Sequence, residues 1–550
     1  MKKTLALMAA PVLGSLVLAG CGVVNNAMVN AANSGASAPP MILSVNPGSP
    51  GYIDDFNPWS PNVLFGAAWI YETLYAINAQ NGHQTPWLAT SYKWETPTKL
   101  VFTIRHGVKW SNGTPFTAKD VAFTFNLEKK FPALNNDGLW PALKSVTAVK
   151  NRVVFTFNHP DVPAFTFIAD TPIVPESIWS KVKNPVTWPD THPVGTGAYV
   201  LKSFTNQNYT LVKNPHYWQA SKVAVKEIEF PVVPQSGATA ELELSEGDFT
   251  AANAFVPNLQ KVYIDKDPKY RHYWFAPGGP SNLVMNLTEY PFNQVKFRQA
   301  MAYAINRNEV SSKGEYGYQP VANMTGLTLP NQKAFLDSSL KDPYHYDPKK
   351  AMKLLESMGL KKNSAGQLVG PHGPIVVTVT VPNSFSDWIE DAQIIRENLG
   401  KLGITVHVNT PSVSTWTSDL DTGTFSMSLT YGLNYYNPYF YYFYTLDGVN
   451  SAPIGKVATS NYERYNNPAT NQLLAEYDDA TTLQQQKPII DKLQAIMLQQ
   501  VPVIPMFYNA NWNEYDTRYY VGWPSASDPY CTPDYTWPDV EVEFTHLRVR

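Results

Sequence analysis

The chain of 550 residues exceeds the size at which a single hydrophobic core usually stops growing, so we expect two or more lobes. Apolar residues make up 44% of the chain and the mean hydropathy is −0.25, which is typical of a globular protein and argues against a membrane-embedded helical bundle. The formal net charge of −3, without any block of like charges, argues against binding to nucleic acid or to an anionic surface.

The first 20 residues have the pattern of an export signal. Lys2 and Lys3 precede an apolar run that ends near Val17, and small residues follow. The run is shorter than the roughly 20 apolar residues of a membrane-spanning helix, which favours a cleaved signal over a transmembrane anchor. Residues 18–21 read Leu-Ala-Gly-Cys and resemble the bacterial lipobox, in which the cysteine becomes the lipid-modified first residue of the mature protein. We therefore expect residues 1–20 to be a lipoprotein signal peptide and Cys21 to carry the lipid, with the protein outside the cytoplasm, anchored to the outer face of the cell membrane or periplasmic.

The segment that follows the signal is expected to be a flexible tether. Residues 21–40 are mostly small or polar and show no apolar periodicity. The second cysteine of the chain, Cys531, cannot form an intramolecular disulfide if Cys21 is lipidated. The folded part must therefore be stabilised by side-chain packing and not by a disulfide.

The next predicted elements alternate between short strands and helices. Residues 41–45 form a strand, and a Ser-Pro pair begins a helix over residues 60–74 with apolar side chains at helical spacing. Alternating apolar residues predict a half-buried strand over 100–104. An Asn-Gly turn and a capping box then predict a helix over residues 117–127.

The clearest pattern in the chain covers residues 375–408. A strand with one apolar face is followed by a helix with apolar steps of four and three residues, and then by a second alternating strand. This order predicts a βαβ crossover with parallel strands. Further helices are predicted over 295–307 and 481–498, the latter followed by a strand over 501–508. The predicted class is α/β with mixed sheets and at least two lobes.

Residues 110–121 (WSNGTPFTAKDV) resemble the signature of family 5 of the bacterial extracellular solute-binding proteins, which includes oligopeptide, dipeptide and nickel binders. Other blocks match in the same order: residues 71–74, 88–94, 193–199, 214–218 and 292–307. The resemblance extends over nearly all of the expected mature chain.

The resemblance implies a type II periplasmic-binding-protein-like fold with two lobes and an extra domain inserted in one of them. Lobe 1 (domain I) would combine residues 41–76, 193–285 and 509–550. Domain II would be the insertion 77–192, and lobe 2 (domain III) would be residues 286–508. Lobe closure around a ligand belongs to the hinge class of motion.

The function implied by the resemblance is that of the substrate-binding lipoprotein of an ABC importer, acting as a monomer that delivers oligopeptides to permease subunits. The implied protein is a binder without a cofactor. A secreted glycoside hydrolase is the alternative of another class, for which Asp54-Asp55 or Asp478-Asp479 could supply carboxylates. Adjacent carboxylates rarely point into one site, and no nucleophile-elbow, Walker or dinucleotide motif occurs.

The residues near the expected ligand site leave more than one ligand class open. In peptide-binding relatives an Asp fixes the amino terminus of the ligand, and the matching residue here is Asn434, whose neutral amide cannot make the same charge-assisted bond. Residues 425–431, shortly upstream, contain no basic residue. An oligosaccharide ligand, resembling a cello-oligosaccharide, is therefore the alternative to a peptide. The 10 His form no metal-ligand motif, so no metal site is predicted, although a nickel chelate is not excluded as ligand.

Aromatic residues are abundant near Asn434. Residues 435–444 contain six Tyr and two Phe, which form either a buried core or a platform in a wet cleft where the hydroxyls find partners. Trp416 aligns with a pocket Trp of peptide-binding relatives, and Trp59 lies in the first inter-lobe loop. The predicted ligand contacts are Trp59, Trp416, Asn434, Tyr435, Tyr436, Asn437 and Tyr439.

Low charge and many tyrosines also suggest an acidic exterior, a hypothesis that a flat stability profile between about pH 3 and about pH 7 would support.

Overall fold

The computed structural model of the chain describes residues 38–44, 51–233, 237–433, 435–533, 535 and 539–550. The predictions for the signal peptide, Cys21, Asn434 and most of the tether lie outside these ranges. Residues Pro40–Arg550 form one compact unit. Within the described ranges, no helix combines the length and apolar character needed to cross a membrane.

The strands of the described chain are mostly three to ten residues long. In chain order they are β1 (Met41–Ser44), β2 (Tyr75–Ile77), β3 (Gln84–Pro86), β4 (Ala89–Thr96), β5 (Lys99–Ile104), β6 (Leu143–Val149), β7 (Arg152–Phe157), β8 (Tyr199–Phe204), β9 (Asn208–Lys213), β10 (Glu227–Pro231), β11 (Ala251–Ala252), β12 (Arg271–Tyr273), β13 (Ala276–Met285), β14 (Lys361–Lys362), β15 (Leu368–Gly370), β16 (Gly373–Pro374), β17 (Val376–Thr380), β18 (Thr405–Asn409), β19 (Met427–Thr430), β20 (Val503–Asn511), β21 (Glu514–Asp516), β22 (Tyr520–Val521) and β23 (Arg548–Val549).

The α-helices vary from single turns to five turns. In chain order they are α1 (Ala118–Lys130), α2 (Ala164–Asp170), α3 (Glu176–Trp179), α4 (Gly237–Glu246), α5 (Leu259–Val262), α6 (Val295–Ala304), α7 (Arg307–Glu309), α8 (Pro348–Ser357), α9 (Ser386–Gly400), α10 (Val413–Thr422), α11 (Pro438–Leu446), α12 (Pro468–Asp478), α13 (Leu483–Gln500) and α14 (Val540–His546).

Three larger sheets organise the molecule. Seven strands pair in the order β12-β21-β11-β1-β10-β9-β8, five in the order β18-β17-β19-β13-β20, and four in the order β4-β5-β7-β6. The five-stranded sheet is mixed, because β17 is parallel to β18 and β19 whereas β13 is antiparallel to β19 and β20. The predicted α/β class with mixed sheets is confirmed. The domain boundaries between these sheets stay a prediction.

The seven-stranded and five-stranded sheets are connected by two neighbouring segments. The chain leaves the first sheet after β12 and enters the second at β13, and it returns from β20 to β21. Strand β13 pairs with β20, with Ala276 opposite Asn511, and β12 pairs with β21. The two connections therefore run side by side and antiparallel.

The βαβ crossover predicted over residues 375–408 is confirmed. Strands β17 and β18 are parallel with Val376 opposite Thr405, and α9 connects them. The capping box of α1 is also present, since Thr117 accepts from the Lys119 N–H at 3.2 Å and Asp120 accepts from the Thr117 N–H at 2.8 Å. Both features depend on local sequence alone.

The helix predicted over residues 60–74 is wrong, because only Phe65–Trp69 form a short 3₁₀ helix. The Gly66 N–H donates to the Tyr209 hydroxyl at 3.1 Å, and a Cβ on Gly66 would lie 2.8 Å from that ring. The Leu64 N–H donates to the Asp55 carbonyl at 2.9 Å. Contacts with β9 and with the preceding loop thus replace the hydrogen bonds of a longer α-helix. Tertiary packing therefore outweighs the helical preference that the apolar spacing indicated.

Candidate functional site

A cavity of about 430 Å³ lies where distant parts of the chain meet. Its walls come from the loop before the 3₁₀ helix, from the region of the four-stranded sheet, from the segment after β19 and from the segment before α14. The lining residues are Pro58, Trp59, Ala79, Glu128, Leu134, Asn136, Asp137, Phe167, Asp170, Thr171, Pro172, Leu433, Tyr435, Thr532 and Asp539. A second hollow of about 600 Å³ is lined by residues 178–189 alone, so we take the smaller cavity, which joins distant segments, as the candidate site.

Trp59 and Glu128 form one wall of the cavity. The indole Nε1 of Trp59 donates to Oε1 of Glu128 at 3.2 Å, and the ring packs edge-on against Trp179 at 5.2 Å between centroids. Glu128 is 4% exposed. Burial and the nearby charge of Asp137 raise the pKa of Glu128 to about 8, although the bond from Trp59 acts in the opposite direction. The wall thus presents an aromatic ring beside a carboxyl group that titrates near neutral pH.

Three further carboxyl groups line the same cavity. Burial raises the pKa of Asp137 to about 6. Burial, Asp137 and Asp539 together raise the pKa of Asp170 well above its usual range. The carboxylate of Asp539 accepts from the Thr532 N–H at 2.7 Å. Lys, Arg and His do not occur among the lining residues that the structure describes, so the wall brings no positive charge to these groups.

Tyr435 faces the same cavity from the other side. Its ring packs on Phe440 at 4.5 Å, and its carbonyl accepts from the Gln332 side chain at 2.9 Å. Leu433 lies directly against β13, because a Cβ on Gly279 would lie 1.8 Å from the Leu433 carbonyl oxygen. Glycine is therefore required at this close approach of two backbones.

Trp416 lies away from this cavity in an aromatic cluster. It is 4% exposed, and its Nε1 donates to the Ser428 hydroxyl at 2.9 Å. Its ring packs against Trp388 and Tyr431 at centroid distances of 5.9 and 5.8 Å. The structure gives Trp416 a packing role in the five-stranded sheet, and a ligand contact for it stays a prediction.

Tyr436, Asn437 and Tyr439 lie just before or at the start of α11. The Tyr436 hydroxyl lies 3.4 Å from that of Thr166. Asn437 caps α11 by accepting from the Tyr439 N–H at 2.9 Å. Tyr439 is 5% exposed, and its hydroxyl donates to Asp478 at 3.3 Å. Of the predicted contacts, the cavity brings together Trp59 and Tyr435, while these three residues contact protein groups beside it.

The carboxyl groups of the cavity were not among the predicted site residues. They come from separate segments, so no motif marks them. One signal was present, because Glu128 follows Val121 and Phe125 at helical spacing, and all three positions are buried. A carboxyl group on the apolar face of a helix indicates a polar partner or a cavity at that position, because burying an unpaired charge is costly. Across the described part of the chain, no group of three His, Cys, Asp or Glu side chains is arranged to hold a metal ion.

Comparison with known proteins identifies the family. The family model "Bacterial extracellular solute-binding proteins, family 5 Middle" matches residues 83–453. The chain is 28% identical to the nickel-binding periplasmic protein of Escherichia coli over 68% of this chain and 71% of the relative. It is 25% identical to the periplasmic murein peptide-binding protein MppA of Escherichia coli over 80% of this chain and 82% of the relative.

A solved structure shows the same fold. The periplasmic oligopeptide-binding protein of Thermotoga maritima, in its mannohexaose-bound crystal structure, is 27% identical, with a TM-score of 0.82 over 93% of this chain and 98% of that chain. The predicted type II periplasmic-binding-protein-like fold is therefore confirmed. These relatives are solute-binding proteins, which supports a non-enzymatic role in transport. The chain belongs to family 5 of the bacterial extracellular solute-binding proteins.

Proposed function

We propose that this protein is the extracytoplasmic, lipid-anchored subunit of an ABC importer that captures oligopeptides between its lobes and delivers them to the permease. The observation that carries the proposal is the cavity between Trp59 and Tyr435, because its walls come from segments on both sides of the paired strands β13 and β20. Relative movement of the two sides would open and close such a cavity. Capture would be a shift between open and closed forms that the ligand favours.

An oligosaccharide is the second candidate ligand. The mannohexaose-bound structure of a relative with 27% identity supports it, as do the aromatic rings of the cavity wall. Stacking of sugar rings on aromatic faces would need no charged partner.

The ligand class can be tested with a thermal-shift screen of the full chain against peptides, mannohexaose and nickel-histidine. A ligand that binds only the folded protein stabilises it by about 2.7 kcal/mol at a concentration of about 100 times Kd. A shift with peptides supports the peptide proposal, and a shift with mannohexaose alone replaces it by the second candidate. No shift with any of the three classes contradicts the proposed function.

The location of the site has its own test in Trp59→Phe. This variant keeps an aromatic ring but removes the donor to Glu128, so we expect affinity for the ligand found in the screen to fall about tenfold. Trp94→Phe is the matched control, because Trp94 packs on Phe157 in the four-stranded sheet. An equal effect of the two substitutions, measured by calorimetry, would place the ligand elsewhere.

A further inference from the structure

The cavity collects carboxyl groups from separate parts of the fold. Glu128 lies near the end of α1, Asp137 in the loop that follows, Asp170 at the end of α2 and Asp539 just before α14. All four line one cavity, and Asp137 raises the pKa of Glu128 while Asp137 and Asp539 raise that of Asp170. Burying such a cluster in its ionised form is costly, so its groups keep their protons unless a cation compensates the charge.

The described part of the cavity wall does not supply this positive charge. The lining residues that the structure describes include no cationic side chain. Elsewhere in the chain, Glu95, Glu227 and Glu309 pair with Lys side chains at distances of 2.6 to 2.9 Å. Glu128, Asp137 and Asp170 therefore differ from these surface groups, because the described lining residues place no cationic side chain beside them.

Polar atoms in the wall also lack hydrogen-bond partners. Thr532 lines the cavity and is only 2% exposed, yet its hydroxyl makes no hydrogen bond. The Oδ1 atom of Asp170 is likewise buried without a partner. Buried polar atoms are rarely left without partners, so two of them on one cavity wall indicate a ligand that supplies hydrogen-bond donors.

Aromatic rings complete the wall. Trp59, Phe167 and Tyr435 line the cavity beside the carboxyl groups. A cation is attracted both by carboxylates and by the faces of such rings. A neutral sugar would satisfy the rings and the hydrogen bonds but would leave the carboxyl groups without an opposite charge.

We propose that the cavity binds a protonated amine of the ligand, held by Glu128, Asp137 and Asp170 with Thr532 as a further hydrogen-bond partner. This inference rests on the proposed function and specifies the ligand class of the same site. The amine can be the amino terminus of a peptide or belong to a polyamine, since the chemistry is shared. In either case the positive charge comes from the ligand.

The proposal predicts that amine binding strengthens as pH rises. Binding of a cation favours the ionised form of the carboxyl groups, whose pKa values burial raises. Further titratable groups act on this cluster from neighbouring elements, and they are Asp539, Glu541, Tyr435, Tyr436 and Tyr444. All of these are acids, so none of them adds positive charge on titration. We expect affinity for an amine to rise about tenfold between about pH 5.5 and about pH 7.5.

The test is calorimetry of the full chain with four probes: trialanine, N-acetyl-trialanine, spermidine and mannohexaose. We expect trialanine or spermidine to bind at neutral pH and to lose about tenfold in affinity with Glu128→Gln or Asp137→Asn. Glu356→Gln, which removes an exposed carboxylate on α8, is the matched control. If trialanine binds and N-acetyl-trialanine does not, the bound amine is the amino terminus of a peptide. If spermidine alone binds, the ligand is a polyamine.

Several results would overturn the inference. Tighter binding of mannohexaose or N-acetyl-trialanine than of both amines refutes it but leaves the proposed function intact. The same holds if Glu128→Gln and Asp137→Asn leave amine affinity unchanged. Failure of all four probes to bind refutes the inference and, together with a negative thermal-shift screen, the proposed function.

Discussion

Tyr441 shows how the tyrosine-rich segment accommodates its hydroxyl groups. It lies on α11, is 5% exposed, and donates to Oδ1 of Asn282 at 2.9 Å, while Tyr442 donates to the Thr325 carbonyl at 2.8 Å. We expect Tyr441→Phe to lower the free energy of unfolding by about 1 to 3 kcal/mol, because it leaves the Asn282 oxygen without its donor. Urea denaturation measures the change, with Tyr431→Phe as control because Tyr431 is 51% exposed. Equal stabilities of the two variants would show that the buried bond contributes nothing.

These hydroxyl groups also decide between the two interpretations of residues 435–444. The sequence predicted either a core or a cleft platform, and the described residues divide between them. Tyr439, Tyr441 and Tyr442 are buried in contact with protein partners, whereas Tyr435 lines the cavity. Composition alone could not make this division, because it depends on where each ring lies in the folded chain.

The capping box of α1 matters at the scale of the element because this helix carries Glu128 to the cavity. We expect Thr117→Ala to reduce the free energy of unfolding by about 1 kcal/mol, since it removes the acceptor for the Lys119 N–H. Thr117→Ser keeps the hydroxyl and should retain most of the stability. Thermal denaturation compares them, and similar losses in both variants would argue against the capping role.

The contact between the segment before α2 and the end of α12 is expected to depend on pH. The Val162 N–H donates to the Asp478 carbonyl at 3.1 Å. Burial raises the pKa of the Asp478 side chain to about 7. The charges of Asp161 and Asp479 also raise this pKa, whereas the hydrogen bond from Tyr439 and the charge of His159 lower it. The packed form therefore favours protonated Asp478, and the contact should weaken as pH rises from about 4 to about 7. Hydrogen exchange at Val162 should show this loosening in the native protein and much less of it in Asp478→Asn.

Helices and strands that are marked by a local sequence pattern could be predicted, whereas the candidate site could be predicted only in part. The crossover over 375–408 and the cap at Thr117 follow from apolar spacing and a short motif, so the sequence contains them in full. Trp59 and Tyr435 were predicted as ligand contacts, and both line the cavity, although contact with a ligand stays a prediction. Asp170 and Asp539 meet only after the chain has folded, and no pattern connects positions so far apart.

Buried carboxyl groups give the whole molecule an unusual pH response. Burial raises the pKa of Glu72 to about 7 and those of Glu315 and Glu463 to about 8, and it raises that of Glu514 well above its usual range. With these pKa values the groups keep their protons in the folded chain at pH values where the unfolded chain ionises, so we expect stability to fall as pH rises from about 4 to about 8. This decline differs from the flat profile between about pH 3 and about pH 7 considered above, and the acidic exterior stays a prediction.

We therefore expect the urea midpoint of the full chain to be higher at about pH 5 than at about pH 8. Glu463→Gln should flatten the dependence, because it replaces one of these groups by an amide that cannot ionise. Glu356→Gln, at an exposed position, should leave it unchanged. A midpoint that rises with pH would contradict the prediction.

The side-by-side connections between the two large sheets have a consequence for protein engineering. Residues 276–511 form one continuous stretch of chain, entered at β13 and left at β20. All four cavity carboxyl groups lie outside this stretch, whereas Leu433 and Tyr435 lie within it. Exchanging this stretch with that of a relative would give a chimera that keeps the acidic wall and acquires a new opposite wall. If the cavity holds the ligand as proposed, such a chimera would separate the contributions of its two walls to ligand selectivity.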